Sequence, residues 1–252
     1  MWREWTLVSA LVVLLASPLL AADPGKEVAA ASDKDAGEAP AATSSTAGTL
    51  PKAGPKAVPK AVQEAHPARS SEDTGIVLVI VGDTGLSGSK EPVRPDAGRR
   101  HGSPHAWRQL TGGIAAEING DLNFANLETV VTDRNDLGAL EKAFNFRSHP
   151  AGVRHLVDIG FNLLSTANNH SADFGERGIR ETLRHLGELE AFGLKAHAGL
   201  GIDRHAALRP RAVAVKGASV LLSAIGIGAG SHRAGEGRPG QLLYAASEDF
   251  SA

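Results

Sequence analysis

The 252-residue sequence contains no cysteine. Disulfides, thiolate-bound zinc, thiol catalysis and lipid attachment through a cysteine are therefore excluded. Aromatic residues are few, with one tyrosine, three tryptophans and seven phenylalanines, and there is a single methionine. Charge of either sign is nearly balanced at −2, so nothing points to nucleic acid as a partner. No apolar run reaches the roughly 20 residues that a membrane-spanning helix needs.

What is present divides the chain into three parts. Met1-Trp2-Arg3 carries one positive charge, Leu7 to Leu20 is apolar apart from Ser9, Ser17 and Pro18, and the small residues Ala21-Ala22 follow. That order is a secretory signal, so residues 1–22 are expected to be a signal peptide or a retained N-terminal anchor, and the protein to be exported to the periplasm or cell envelope. Residues 23–74 are rich in Ala, Pro, Lys and Ser and repeat Pro-Lys-Ala at Pro51, Pro55 and Pro59, with Gly54, Val58 and Val62 closing the units. Such a stretch cannot bury enough surface to offset its ordering entropy and reads as a disordered linker, either a tether or a passive spacer. Residues 75–252 are the expected folded domain.

Within that domain, apolar runs at Ile76–Val81, Asp121–Leu127 and Phe161–Thr166 alternate with helical spacing at Trp107, Leu110, Ile114 and Ile118, and at Val153, Leu156 and Val157. A longer helix presents Ile179, Leu183, Leu186 and Leu189. The alternation predicts an α/β fold with a parallel sheet, and the unbroken run Ile76–Val81 predicts a first strand covered on both faces. Further strands are expected at Leu194–Ala198, Ala212–Val215 and Ser219–Ile225, and a brief one at Ala143–Phe146. No element is expected after Gly226, where the sequence turns glycine-rich.

The first three strands end in polar residues. Gly82-Asp83 follows the first, Asn126-Leu127-Glu128 closes the second, and Ala167-Asn168-Asn169-His170 with Asp173 follows the third. Taken singly, each has a bland reading as a turn, a cap or a solvated acid. Taken together they lie at the carboxyl ends of parallel strands, the edge where open α/β sheets bind ligands. Carboxylates, amide oxygens and an imidazole suit divalent Mg, Mn, Fe or Zn. Arg147, just past an apolar pair, is expected either to bind an anionic substrate or to form a surface ion pair, and His155, Arg184 and His185 are expected on solvated helix faces.

Gly82-Asp83, Asn126-Leu127-Glu128-Thr129, Ala167-Asn168-Asn169-His170, Asp173-Phe174-Gly175, Thr182-Leu183 and Gly199-Leu200-Gly201 resemble the CapA-type capsule synthesis proteins linked to poly-γ-glutamate. That family belongs to the calcineurin-like metallophosphoesterase superfamily. The resemblance implies an α/β/β/α sandwich around divalent metal ions, two in a complete domain, and metal-dependent hydrolysis. It implies metal ligands at Asp83, Glu128 and Asn169 and a catalytic His170; beside these, Asn126, Arg147, Asn168 and Asp173 are expected to contact substrate. The implied partners are an envelope polymer or phosphoester substrate and membrane-bound capsule synthesis subunits. None of the ten histidines forms the His-x-His pair that superfamily members carry later in the chain. The sandwich is therefore expected to be incomplete on its C-terminal side. A non-catalytic envelope protein that keeps the fold and binds polymer or partner subunits is the alternative.

Overall fold

The computed structural model describes residues 11–18, 75–86, 93–94, 107–228 and 232–244. The expected linker, the loop expected at 90–100 save residues 93 and 94, and the helix start expected at Ser103-Pro104 lie outside the described residues.

A parallel sheet forms the centre. Its order is β2 (Leu78–Thr84), β3 (Leu122–Leu127), β6 (Leu163–Ser165) and β7 (Ala196–Ala198). Every residue of β3 and β6 is buried, as the continuous apolar runs predict for strands covered on both faces. One face carries α2 (Pro150–Asp158) and α3 (Gly175–Leu189). Ala125, Leu127, Val153, Leu156, Phe161, Leu164, Leu186 and Leu189 interlock there. The apolar line of α3 is buried at Ile179, Leu186 and Leu189, and the helix stops one short 3-10 turn before Gly193.

The opposite face carries a second sheet. The hairpin of β9 (Arg211–Val215) and β10 (Ala218–Ile227) turns at Lys216-Gly217, both with positive φ as a tight two-residue hairpin requires. Val213, Val215, Val220, Leu222 and Ala224 pack on Leu122, Phe124, Leu163, Ala196 and Ala198. The described layers are thus helix, parallel sheet and antiparallel sheet. The backbone of β1 (Leu11–Pro18), the segment expected to be the apolar core of a signal, pairs antiparallel with β10 over Ala218–Ile225.

Several expectations are corrected. The first strand does not end at Val81 but continues through Asp83 and Thr84, with a register shift between Val81 and Asp83. It is an edge strand, not a doubly covered one, and Ile80 is 64% exposed. The helix at Trp107 is a single short element, α1 (Trp107–Thr111), ended by Gly112-Gly113 and leaving Leu110 and Ile114 exposed. The brief strand is not at Ala143–Phe146. It is β5 (Arg147–Ser148), paired in parallel with β4 (Val130–Val131). The glycine-rich tail also carries structure: β11 (Gly240–Gln241) pairs with β8 (Leu200–Gly201), and β12 (Leu243–Tyr244) pairs with β10.

Candidate metal centre

Parallel pairing brings the polar strand ends to one rim. The register shift around Gly82 sets Asp83 opposite Asn126, whose Nδ2 donates to Asp83 Oδ1 at 2.7 Å. A bulge of this kind re-aims a side chain at a sheet edge. The Glu128 backbone N–H donates to the Thr84 carbonyl at 2.9 Å, which carries the acid to the same edge. Its carboxyl group interacts electrostatically with that of Asp83. Burial, and then the Asp83 charge, raises the Glu128 pKa above the usual carboxylate value, with His170 partly opposing the shift.

Asn168 is 1% exposed and joins two strands. Its Nδ2 donates to Asn126 Oδ1 at 3.1 Å and to the Leu127 carbonyl at 2.9 Å. Its Oδ1 accepts from the His170 N–H at 3.1 Å and from Ser171 Oγ at 3.0 Å. Both amide hydrogens and the amide oxygen of this side chain are thereby engaged inside the protein. The chain Asp83–Asn126–Asn168 fixes the first carboxylate against the loop that carries the histidine.

His170 is buried beside Phe146, with ring centroids 4.0 Å apart. Its Nδ1 lies 2.7 Å from Asp173 Oδ2, and its Nε2 faces Glu128 Oε1 at 3.8 Å. Asp173 also accepts from the Phe146 N–H and pairs with Lys142, whose Nζ donates to the Asn169 carbonyl at 2.9 Å. The carboxylate at Nδ1 places that proton on Nδ1 and leaves Nε2 open toward the rim. Asn169 itself is exposed at the edge.

The structure therefore brings together Asp83, Asn126, Glu128, Asn168, Asn169, His170 and Asp173. Of the expected substrate contacts, Asn126, Asn168 and Asp173 are buried and hydrogen-bonded to neighbouring strands and to His170. Arg147, expected to meet an anionic substrate or a surface ion partner, is placed inside the fold. Arg147 is buried on β5, with its guanidinium 5.2 Å from the Phe174 ring and Nη1 donating to the Arg134 carbonyl. Burial lowers its pKa. Sequence reasoning missed Lys142, Phe146 and His232. Lys142 and Phe146 sit in an irregular connection with no period to flag them. His232 comes from the glycine-rich tail, and its pKa is lowered by burial and then by Lys142, with Asp173 opposing.

The rim residues are of the chemical types that hold a divalent ion. Two carboxyl groups held together at an edge, one with a raised pKa, form a pair that either a proton or a cation relieves. Carboxylate, amide and imidazole donors match hard or borderline metals. A separate group, Asp133, Glu181 and His185, is the one among the described residues whose carboxylate and imidazole ligand atoms all lie within 4.8 Å of one another, a spacing that Asp83, Glu128 and His170 do not reach. There the Arg184 guanidinium already stands 2.9 Å from Glu181 Oε2 and 2.7 Å from His185 Nε2. His185, expected on a solvated face, is only 4% exposed because this cluster and α3 cover it.

The sequence profile described as Bacterial capsule synthesis protein PGA_cap matches residues 77–249. The chain belongs to this family. Its mixed α/β architecture with a parallel central sheet is that of the metallophosphoesterase-like fold to which the family belongs. An uncharacterized protein y4sH of Sinorhizobium fredii is 36% identical over 108 residues, covering 41% of this chain and 23% of the relative. The capsule biosynthesis protein CapA of Bacillus anthracis is 24% identical over 127 residues, 49% of this chain and 29% of CapA. A probable polyglutamine synthesis accessory protein of Mycobacterium tuberculosis is 32% identical over 115 residues, 44% of this chain and 29% of that protein. The matched stretch thus covers 23% to 29% of these relatives' own length.

Proposed function

We propose that this PGA_cap-family protein acts in capsule or envelope-polymer synthesis as an exported, CapA-like, metal-dependent hydrolase or transferase. The reading rests on one observation: Asp83, Glu128 and His170, distant in sequence, meet at a single rim and are held there by buried amides and Asp173. Asp83 and Glu128 would hold the ion, with the Asn169 side chain at the same edge. When bound, a divalent ion supplies Lewis acidity toward a phosphoryl or carbonyl oxygen and a more acidic water.

The protein's own residues supply the rest. Asp173 keeps the His170 ring in one orientation and one tautomer. Neutral His170 then offers Nε2 as a base, and protonated His170 offers Nε2–H to a leaving oxygen or nitrogen. Phe146 covers one face of the ring and shields it from water. The substrate class is a phosphoester or amide-type linkage of an envelope polymer, and membrane-bound capsule synthesis subunits are the proposed partners. Export through residues 1–22, cleaved or retained as an anchor, is part of the same proposal. Cell fractionation with and without that segment tests it, and equal cytoplasmic retention of both forms would reject it.

The activity test is turnover of bis-p-nitrophenyl phosphate with added Mn²⁺. Metal-dependent turnover that disappears in His170→Ala supports the enzyme reading. Turnover unaffected by that substitution contradicts it. A non-catalytic polymer- or partner-binding role draws on the lack of a His-x-His pair among the ten histidines, and metal-dependent turnover would refute it.

A further inference from the structure

We propose that a cavity between the free edge of the parallel sheet and α4 (Arg204–Leu208) binds a small aliphatic carboxylate. The cavity measures about 150 Å³ and is lined by His197, Arg209 and Arg211 on its polar side and by Leu183, Leu200 and Ile202 on its apolar side. It is distinct from the metal rim. Ala196 and Ala198 of β7 face the second sheet, so His197 between them faces the other way, toward Leu183 of α3.

Three features point to an anion. His197 Nδ1 is buried and has no hydrogen-bond partner, a state that native structures rarely leave unfilled. Arg209 has no acidic partner for its side chain among the described residues, while Arg211 Nη2 reaches Glu190 at 2.9 Å. The positive groups therefore outnumber the negative ones around the opening. Burial first, and then Arg211, lowers the His197 pKa to about 4, and a bound anion would oppose the second cause. The apolar wall selects against a fully hydrated oxyanion and for a ligand with a short hydrocarbon stem. The volume is well below the roughly 300 Å³ at which drug-sized ligand pockets begin, which restricts the ligand to a few heavy atoms.

The test is calorimetric titration of the full chain with sodium butyrate and, separately, with inorganic phosphate, while NMR follows the His197 ring. The expected result is saturable butyrate binding that moves the His197 resonances and raises its pKa, with phosphate much weaker. Arg209→Ala should weaken butyrate binding about tenfold or more, since a charge-assisted hydrogen bond is lost, and Arg209→Lys should restore part of it. The Arg209 side chain is exposed, so the variant should keep its melting temperature. No saturable response, or a response unchanged in Arg209→Ala, would overturn the site. Equal binding of phosphate and butyrate would overturn the ligand class.

Discussion

Asn168 shows how the rim is held. Both ends of its amide are used within the protein, across β3 and the His170 loop. Asn168→Ala would leave buried acceptors and donors without partners and should cost about 2–4 kcal/mol in urea unfolding. In the proposed chemistry Asp173 acts through His170, which it contacts at 2.7 Å. Asp173→Asn should lower kcat by roughly 10²-fold or more while metal stoichiometry stays at the wild-type value. Metal loss in that variant would assign Asp173 to the ion and not to the imidazole. His197 sets a pH dependence of its own. Its folded pKa of about 4 lies below the unfolded 6.5, so the group stays neutral in the fold while the unfolded chain takes up a proton. Its contribution is complete above pH 6.5 and is lost as pH falls toward 4. The total is about 3 kcal/mol, and His197→Gln should flatten that part of the stability curve.

At the scale of elements, α3 and the β7–β8 turn carry the strongest expectations. Leu186 is fully buried between α3 and the parallel sheet, and Leu186→Ala should cost about 2–5 kcal/mol by denaturant unfolding. Gly199 has φ +110°, and a Cβ there would meet Ala167 Cβ at 2.6 Å and Ala167 N at 2.7 Å. Ala167 immediately precedes Asn168, so Gly199→Ala should disturb the rim as well as the fold.

Elements with a long, doubly buried run were legible in the sequence. β3 and β6 are examples, as is α3 with its line of apolar residues. β2 was misread because an edge strand and a covered one can carry the same apolar run. Nothing in Ile80 itself says that its face lies open. β4 with β5, and β11 with β8, pair over two residues each, too short for any periodicity to appear. The types of the rim residues were legible, but their division of labour was not. A buried amide that ties two strands and an amide that meets a ligand look alike until their partners are known.

The described residues form a stack in which α2 and α3 cover one face of the parallel sheet and the β9–β10 hairpin covers part of the other. Neither cover occupies the carboxyl edge, where Asp83, Glu128 and His170 gather. Right-handed βαβ crossovers make this edge the natural place for chemistry, because every strand delivers its next residues there. The family match over residues 77–249 spans all of these strand ends. The Asp133–Glu181–His185 group shares no residue with the edge and already holds the Arg184 guanidinium. A metal that serves the chemistry should therefore depend on the rim and be indifferent to that second group.

Divalent metal content of the purified full chain, measured by equilibrium dialysis against Mn²⁺, decides the matter most directly. The account predicts a bound ion that is lost in Asp83→Ala and Glu128→Gln, weakened in Asn169→Ala, and retained in Asp133→Ala. An ion that survives Asp83→Ala, or a wild-type chain that binds none, would contradict it.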